Sequence, residues 1–492
     1  MQHRTSGLCF GKAPSGCRPA SQWLIALAGL VAIAPWALLV AAGPAPAAEP
    51  AKPLGTAEGY RGIWYSNQKT NDEYAFKYSG GMATYPQQHM PIAIHAPAAG
   101  KTFFVYGGTV PGNKTLLHMV SYFDHATGTA PRPRILLDKK TTDAHDNPTL
   151  TIDAAGYLWI YSNAHGTSRP SFIHRSEKPY SIDAFRRVKK TNFSYSQPWT
   201  LADGRQILLH TKYNHAGRRG RGLFWMTSAD GTSWSDPQPL AHVEQGHYQV
   251  SRSDGRRVAT AFNHHPTRGG LNARTNLYYL ATLDGGTTWN AADGTRVETP
   301  ITAAAGPALV RDYASEGLLV YLKQVQFDTA GNPVIMYLTS RGYAPGPDND
   351  PRTWRLARWD GSAWLHSEIT QSDHNYDYGT LYVDDDAKWQ LVAPTDAGPQ
   401  PYGTGGQMVV WSSPDQGRTW KRDKTLTHDT ELNHTYARQP LAFHPDFALL
   451  WADGHARERS DSSLYYTDRA ATHVWRLPVE MTSDHQQPDL VW

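Results

Sequence analysis

From about Gly59 onward, short β-rich runs alternate with tight polar turns, and helical periodicity is almost absent. One recurring unit is a strand, an Asp/Gly turn and a second strand. Examples are Ile152-Asp-Ala-Ala-Gly156-Tyr-Leu-Trp-Ile160, Phe327-Asp-Thr-Ala-Gly331-Asn-Pro-Val-Ile-Met-Tyr337 and Tyr382-Val-Asp-Asp-Asp386-Ala-Lys-Trp389-Gln-Leu-Val392. Alternating with it are Asp-box hairpins: Ser228-Ala-Asp230-Gly231-Thr-Ser-Trp234, Thr282-Leu-Asp284-Gly-Gly286-Thr-Thr-Trp289, Ser413-Pro-Asp415-Gln-Gly417-Arg-Thr-Trp420 and a degenerate Asp360-Gly361-Ser-Ala-Trp364. In each the Asp caps the turn, Gly takes the positive φ, and Trp packs beneath. These turns are structural and carry no chemistry.

Asp230 and Asp284 are 54 residues apart, and Asp360 and Asp415 are 55 apart. A body of about 444 residues then holds seven or eight units. The pattern predicts an all-β chain, a single seven-bladed β-propeller with four-stranded blades over 59–492, closed by pairing of N- and C-terminal strands. A parallel β-helix has much shorter repeats and does not fit.

Upstream the pattern changes. Arg4, Lys12 and Arg18 precede an apolar run from Trp23 to Ala42, followed by the small residues Gly43 to Ala48. This is the layout of a secretory signal over residues 1–48, with cleavage after Ala47 or Ala48; an uncleaved anchor is the alternative. Residues 49–58 read as a linker. The expected location is secreted or periplasmic. Cys9 and Cys17, the only two cysteines, lie in the leader, so the body has no disulfide, no Cys–metal site and no thiol nucleophile.

Composition refines this. With 42 Gly, 34 Pro, 17 Trp and 26 Tyr, the chain suits many short strands and turns, and its 18% charged residues are too few for a disordered chain. The formal charge of +3 resides in the leader: removing its three basic residues from 47 leaves 44, equal to the 44 acidic ones. A neutral body argues against nucleic acid, or a membrane surface beyond an N-terminal anchor, as a partner.

Ligands of propellers gather at the channel mouth, so the informative segments are those the hairpin pattern leaves unexplained. They are Thr84-Tyr-Pro-Gln-Gln-His89, Asp143-Ala-His145-Asp-Asn147-Pro with Ser162-Asn-Ala-His165-Gly-Thr-Ser-Arg169, Ser194-Tyr195 with Lys212 and the Arg218-Arg219-Gly-Arg221 turn, and Gly246-His247-Tyr248-Gln-Val-Ser-Arg252. His145 and His165 flank one hairpin and should lie side by side at its open end. Tyr195 and Lys212 flank the next and should pair likewise. His264-His265 and Asp384–Asp386 read as surface loops.

The set lacks the carboxylate pair of common glycosidases and a serine elbow. Two imidazoles, a phenol and a cation suit β-elimination on a uronic acid. There a base takes the C5 proton, a cation or donor neutralises the adjacent carboxylate, and an acid protonates the leaving O4. No cofactor is required; a structural cation and any bound metal are left open. His145 and Tyr195 are expected to share the base and acid roles. His165 and Lys212 would hold the carboxylate. Asn147, Arg169, Arg219, Arg221, His247, Tyr248 and Arg252 complete the predicted substrate-binding set.

The blocks Gly59-Tyr-Arg-Gly-Ile-Trp-Tyr65, Tyr78-Ser-Gly-Gly-Met82, Lys101-Thr-Phe-Phe-Val-Tyr-Gly-Gly-Thr109, His145-Asp-Asn-Pro148 and His165-Gly-Thr-Ser-Arg-Pro170 resemble BNR-type seven-bladed propellers that cleave L-rhamnosyl-α-1,4-D-glucuronate. Such ends cap plant arabinogalactan and gum arabic, so the resemblance implies an acidic plant polysaccharide or oligosaccharide as partner. The group is similar to propeller ulvan lyases, which use two His, a Tyr and an Arg. By motif these fall on His145, His165, Tyr195 and, for the Arg, Thr211 or Lys212; this chain has no Arg there, and Lys lacks the bidentate fork. Other members of the group are hydrolases that remove rhamnose with one His on the opposite face, for which His89 is the nearest candidate. An ulvan-type lyase, a sialidase-like enzyme and a non-catalytic glycan-binding propeller are the remaining alternatives.

Overall fold

The computed structural model describes residues 55–81, 88–217, 219–385 and 388–492. The leader with Cys9 and Cys17, residues 84–87 of the first polar segment, Arg218 and Asp386 lie outside them.

The described chain is all-β apart from short 3-10 turns; its strands form seven successive antiparallel blades, preceded by a separate hairpin of Tyr65–Lys69 and Phe76–Gly80. Blade 1 runs Ala93–Ala96, Lys101–Gly108, Leu117–Asp124 and Arg134–Asp138 from first strand to last, with Gly55–Thr56 added at its outer edge. Gly55–Thr56, assigned to a linker by the sequence, therefore belongs to this sheet, paired with Ile135 and Arg134. Blade 2 is Pro148–Ile152, Leu158–Ser162, Ser171–Ser176 and Phe185–Thr191, and blade 3 is Ser194–Thr200, Gln206–Tyr213, Arg221–Ser228 and Gln238–Ala241. Blade 4 is Gln249–Ser253, Val258–His264, Thr275–Thr282 and Leu309–Arg311. Blades 5 and 6 begin at Leu319–Phe327 and Thr380–Tyr382, and blade 7 begins at Asn433–Arg438.

First strands of neighbouring blades meet through side-chain bonds: Thr149 to Ser196 at 2.6 Å, Gln197 to the Gln249 carbonyl at 2.9 Å and Gln326 to the Leu381 carbonyl at 3.1 Å. The apolar face of each sheet packs on the next, giving core clusters that span adjacent blades.

The turn residues do what their chemistry dictates. Asp153 Oδ1 accepts the Ala155 and Tyr157 amides at 3.0 and 2.9 Å, and its Oδ2 accepts the Trp159 indole N–H at 2.8 Å. Gly156 has φ +86°, and a Cβ there would lie 2.5 Å from the Tyr180 ring, so only glycine fits. In the Asp boxes, Asp230 accepts two turn amides at 2.8 and 2.7 Å, and the Trp234 indole donates to the Gly231 carbonyl at 2.8 Å. These boxes join third to fourth strands, on the face opposite the connections between blades.

The ring closes by pairing of N- and C-terminal segments, as expected, but without a blade that mixes strands from the two ends. Every strand of the last blade comes from the C-terminal end, and every strand of the first from the N-terminal end. The seam is made instead by His485–Gln486 pairing with Ala130–Pro131, by the Tyr60 amide on the Pro478 carbonyl at 2.8 Å, and by the His95 amide on the Leu441 carbonyl at 2.9 Å.

Candidate active site

The connections between blades and the loops joining second to third strands share one face, and blades 2, 3 and 4 bring their polar residues together there. The chain enters blade 2 through a 3-10 turn, Ala144–Asp146, whose N-cap Asp143 accepts the His145 amide at 3.0 Å. The same carboxylate binds two imidazoles: His145 Nδ1 on Oδ1, and His165 Nδ1 on Oδ2 at 2.7 Å. The two rings stack 3.9 Å apart at 15°. His165 extends from the loop between Leu158–Ser162 and Ser171–Ser176, so the hairpin around Asp153 sets the pair side by side, as its spacing predicts. The two differ in exposure: the His145 side chain is 3% accessible and that of His165 30%.

Charge around the pair is closed. Asp146, fully buried, takes Arg169 through two bonds of 2.9 Å, Lys139 at 3.5 Å and the His165 amide at 2.7 Å. Burial opposes ionisation of Asp143, but the two imidazoles outweigh it and hold its carboxyl below the usual carboxylate range. Burial, reinforced by His165, brings His145 down to about 4, so its ring is neutral at neutral pH. With Nδ1 committed to Asp143, Nε2 of His165 is the nitrogen left for a ligand.

Tyr195 sits at a bulge between Ser194 and Gln197 with φ +52°, a left-handed conformation costly for a tyrosine. The bulge brings its hydroxyl to that of Tyr213, 2.9 Å away, and its ring centroid 5.8 Å from that of His145. Arg221 Nε donates to the Tyr213 hydroxyl at 3.3 Å, and its guanidinium lies 5.3 and 5.7 Å from the Tyr213 and Tyr248 ring centres. Burial raises Tyr213, with Arg221 opposing it. Behind Arg221, Arg274 donates to the Tyr376 hydroxyl at 3.0 Å and lies 5.1 Å from the Tyr248 ring. Lys77, buried, donates to Asn272 Oδ1, and burial with Arg274 and Arg221 nearby lowers it to about 6. Arg221 and Arg274 thus line the site with two cations set against tyrosine rings, a setting that suits an anionic ligand.

His145, His165, Tyr195, Arg221 and Tyr248 are thus brought together, with Arg169 buttressing the acidic pair and buried Asn147 accepting the Asn163 side chain on its carbonyl at 2.6 Å. Other assignments are corrected. Lys212 occupies the opposite side of its strand from Tyr213, half buried and near Asp236. Arg219 is exposed, its carbonyl taken by His242 at 3.0 Å. His247 is fully buried with both ring nitrogens occupied, by the Asn263 carbonyl at 2.6 Å and the Val243 amide at 2.9 Å, so it is a spacer. Arg252 lies near the far end of its strand, beside the Asp254 turn and away from the site. His89 is not on the opposite face. It lies buried under the site, Nε2 bonded to the His145 carbonyl at 3.1 Å and its ring centroid 5.5 Å from that of Tyr195. His264 and His265 are not surface loops: both are buried, and His265 stands edge-on to Tyr248 at 4.8 Å. Asp384 and Asp385 are exposed as expected.

Sequence reasoning passed over Asp143, Tyr65, Tyr213, His265 and Arg274. Tyr65 touches His145 Nδ1 at 3.3 Å and Asp143 at 3.4 Å. Asp143 had a readable signal, an acid two residues before a candidate imidazole.

With this geometry in place, the known relatives can be read. The model of the BNR repeat-containing family matches residues 120–372, just over half of the chain, and the protein belongs to that family. It is similar to the ulvan lyase of Nonlabens ulvanivorans, 25% identical over 436 residues covering 79% of this chain and 87% of the relative. The ulvan lyase of Alteromonas sp. (strain LOR) is 22% identical over 359 residues, 65% and 71% of the two chains. Among solved structures, a PL25 ulvan lyase superposes with a TM-score of 0.64 at 16% identity, covering 85% of this chain and 96% of that one. The polysaccharide lyase Uly1 gives 0.57 at 9% identity, covering 84% and 100%. These likenesses confirm the propeller.

Proposed function

We propose that the protein is an exported polysaccharide lyase. It cleaves L-rhamnose-α-1,4-D-glucuronate ends by β-elimination, releasing rhamnose and a 4,5-unsaturated uronate. The observation that carries this is the single carboxylate, Asp143, holding two imidazoles beside the Tyr195–Tyr213 hydroxyl pair and Arg221. The curated relatives support it, since both are ulvan lyases, and a solved relative is bound to -[GlcA(1-4)Rha3S]-, which also joins glucuronate to rhamnose.

Arg221, framed by Tyr213 and Tyr248, neutralises the uronate carboxylate and lets charge spread onto it as the C5–H bond breaks. His165, the more exposed imidazole, takes that proton on Nε2; its Nδ1–H stays on Asp143. The electron pair forms the C4–C5 double bond, and the C4–O4 bond breaks. The departing O4, which leaves with rhamnose, receives a proton from the Tyr195–Tyr213 pair. Proton return from His165 to the phenolate resets the site. Lys212, the sequence candidate for the cation, is replaced in this scheme by Arg221, and His145 becomes the ring that locks His165 in place.

The hydrolase reading has less support. His89 is buried with Nε2 engaged, and the acids Asp143 and Asp146 are tied to imidazoles, Arg169 and Lys139 rather than set as an acid–base pair. The test is incubation of the purified protein with gum arabic and separately with ulvan, followed by ultraviolet absorbance and sugar analysis. Rhamnose released together with an unsaturated uronate supports elimination; rhamnose with a saturated partner points to hydrolysis.

A further inference from the structure

On the face opposite the candidate active site, four residues from the first and last blades converge. His95 is the penultimate residue of the first strand of blade 1, and His125 follows its third. His444 and Asp446 lie in the loop after the first strand of blade 7. His125 and His444 have ring centroids 3.8 Å apart, and His95 is 5.3 and 5.2 Å from them. Ligand atoms of His125, His444 and Asp446 all lie within 4.8 Å of one another.

Each imidazole is anchored through one nitrogen. His125 Nε2 bonds the Thr102 hydroxyl at 2.8 Å, His95 Nδ1 the Ala442 carbonyl at 3.0 Å, and His444 Nδ1 accepts the Asp446 amide at 3.2 Å. The other nitrogen of His125, Nδ1, is buried with no protein partner. Metal-binding histidines are commonly oriented this way, by a bond to the nitrogen that does not ligate. A cavity of about 540 Å³, lined by His125, Asp446, Asp468 and His473 among others, opens beside the cluster and gives solvent access.

We infer that His125, His444 and Asp446, with the His95 ring packed beside them, bind a divalent transition metal of the zinc type, which clips blade 1 to blade 7. Imidazole and carboxylate donors in this number suit Zn²⁺ or Co²⁺ better than Ca²⁺ or Mg²⁺. The position has a physical logic. Among the described residues the seam is joined by the two-residue pairing of His485–Gln486 with Ala130–Pro131 and by single backbone bonds, and the body contains no cysteine with which to staple it.

The test uses the intact protein, stripped with a chelator and titrated with Co²⁺ and with Zn²⁺. One Co²⁺ per chain should bind with a visible d–d spectrum, and Zn²⁺ should displace it and raise Tm by at least about 3 °C. In a His125→Ala/His444→Ala variant both effects should vanish while its melting matches that of the stripped parent. In His165→Ala both should persist, which separates this site from the Asp143–His145–His165 group. Absence of the Co²⁺ band in the parent, or its survival in the double variant, would overturn the inference.

Discussion

The imidazoles of His145 and His165 stack 3.9 Å apart on a single carboxylate, Asp143, although twenty residues and a complete hairpin separate them. One anion therefore fixes the Nδ1–H tautomer of both rings and turns their remaining nitrogens to other partners.

Asp143→Asn should keep the volume and lose the charge. The amide cannot accept from both rings as the carboxylate does, so the imidazoles lose their fixed tautomer. We expect kcat/KM for uronate cleavage to fall about 10²–10⁴-fold, with far-ultraviolet circular dichroism unchanged. A loss below fivefold would show that Asp143 does not orient the base.

Arg221 and Lys212 are separated by a direct comparison. Arg221→Ala should cost about 10²–10³-fold in kcat, and Arg221→Lys should recover only part of it, since an ammonium lacks the planar fork. Lys212→Ala should stay within about threefold of the parent, because a surface-facing change away from the site is close to neutral. The reverse ranking would restore Lys212 as the neutralising cation.

His89 should act through packing. His89→Ala removes a buried ring that bonds the His145 carbonyl, and should lower stability by about 2 kcal/mol in denaturant unfolding. The variant should still yield the unsaturated product, at a rate reduced less than in His165→Ala. Complete loss of rhamnose release with unchanged stability would favour hydrolysis through His89.

Acid should unfold the propeller through its buried imidazoles. Burial brings His210, His247 and His434 down to about 3 and His174 to about 4. The unfolded chain binds protons at these sites near the ordinary pKa of 6.5, whereas the folded chain resists until pH 3–4. Stability is therefore full above pH 6.5 and declines as pH falls toward 3. At pH 5 each fully buried ring costs about 2 kcal/mol relative to neutral pH. Melting temperatures measured from pH 8 to pH 4 should show the decline begin near pH 6.5, and substituting His434 by Gln should soften it.

The fold was legible because its signals are local. Asp153 and Gly156, or Asp230 and Trp234, make their turns with residues a few positions away, and seven such units leave little choice of architecture. The His145–His165 pair was legible for the same reason, being the two ends of one hairpin. The cation was not. A bulge at Tyr195 shifts the register of the blade 3 hairpin, and a shift of one residue exchanges the faces of a strand. Tyr213 therefore took the place assigned to Lys212. The same parity made Tyr248 part of the site and His247 a spacer. Arg274 and Tyr376 meet across 102 residues, a contact with no local pattern to announce it.

The most direct measurement is product analysis after incubating the purified protein with an oligosaccharide ending in L-rhamnosyl-α-1,4-D-glucuronate. The account predicts equal amounts of free rhamnose and a uronate bearing the ultraviolet absorbance of a C4–C5 double bond, both lost in His165→Ala. Rhamnose accompanied by a saturated glucuronate, with oxygen from labelled water incorporated at the cleaved bond, would contradict it.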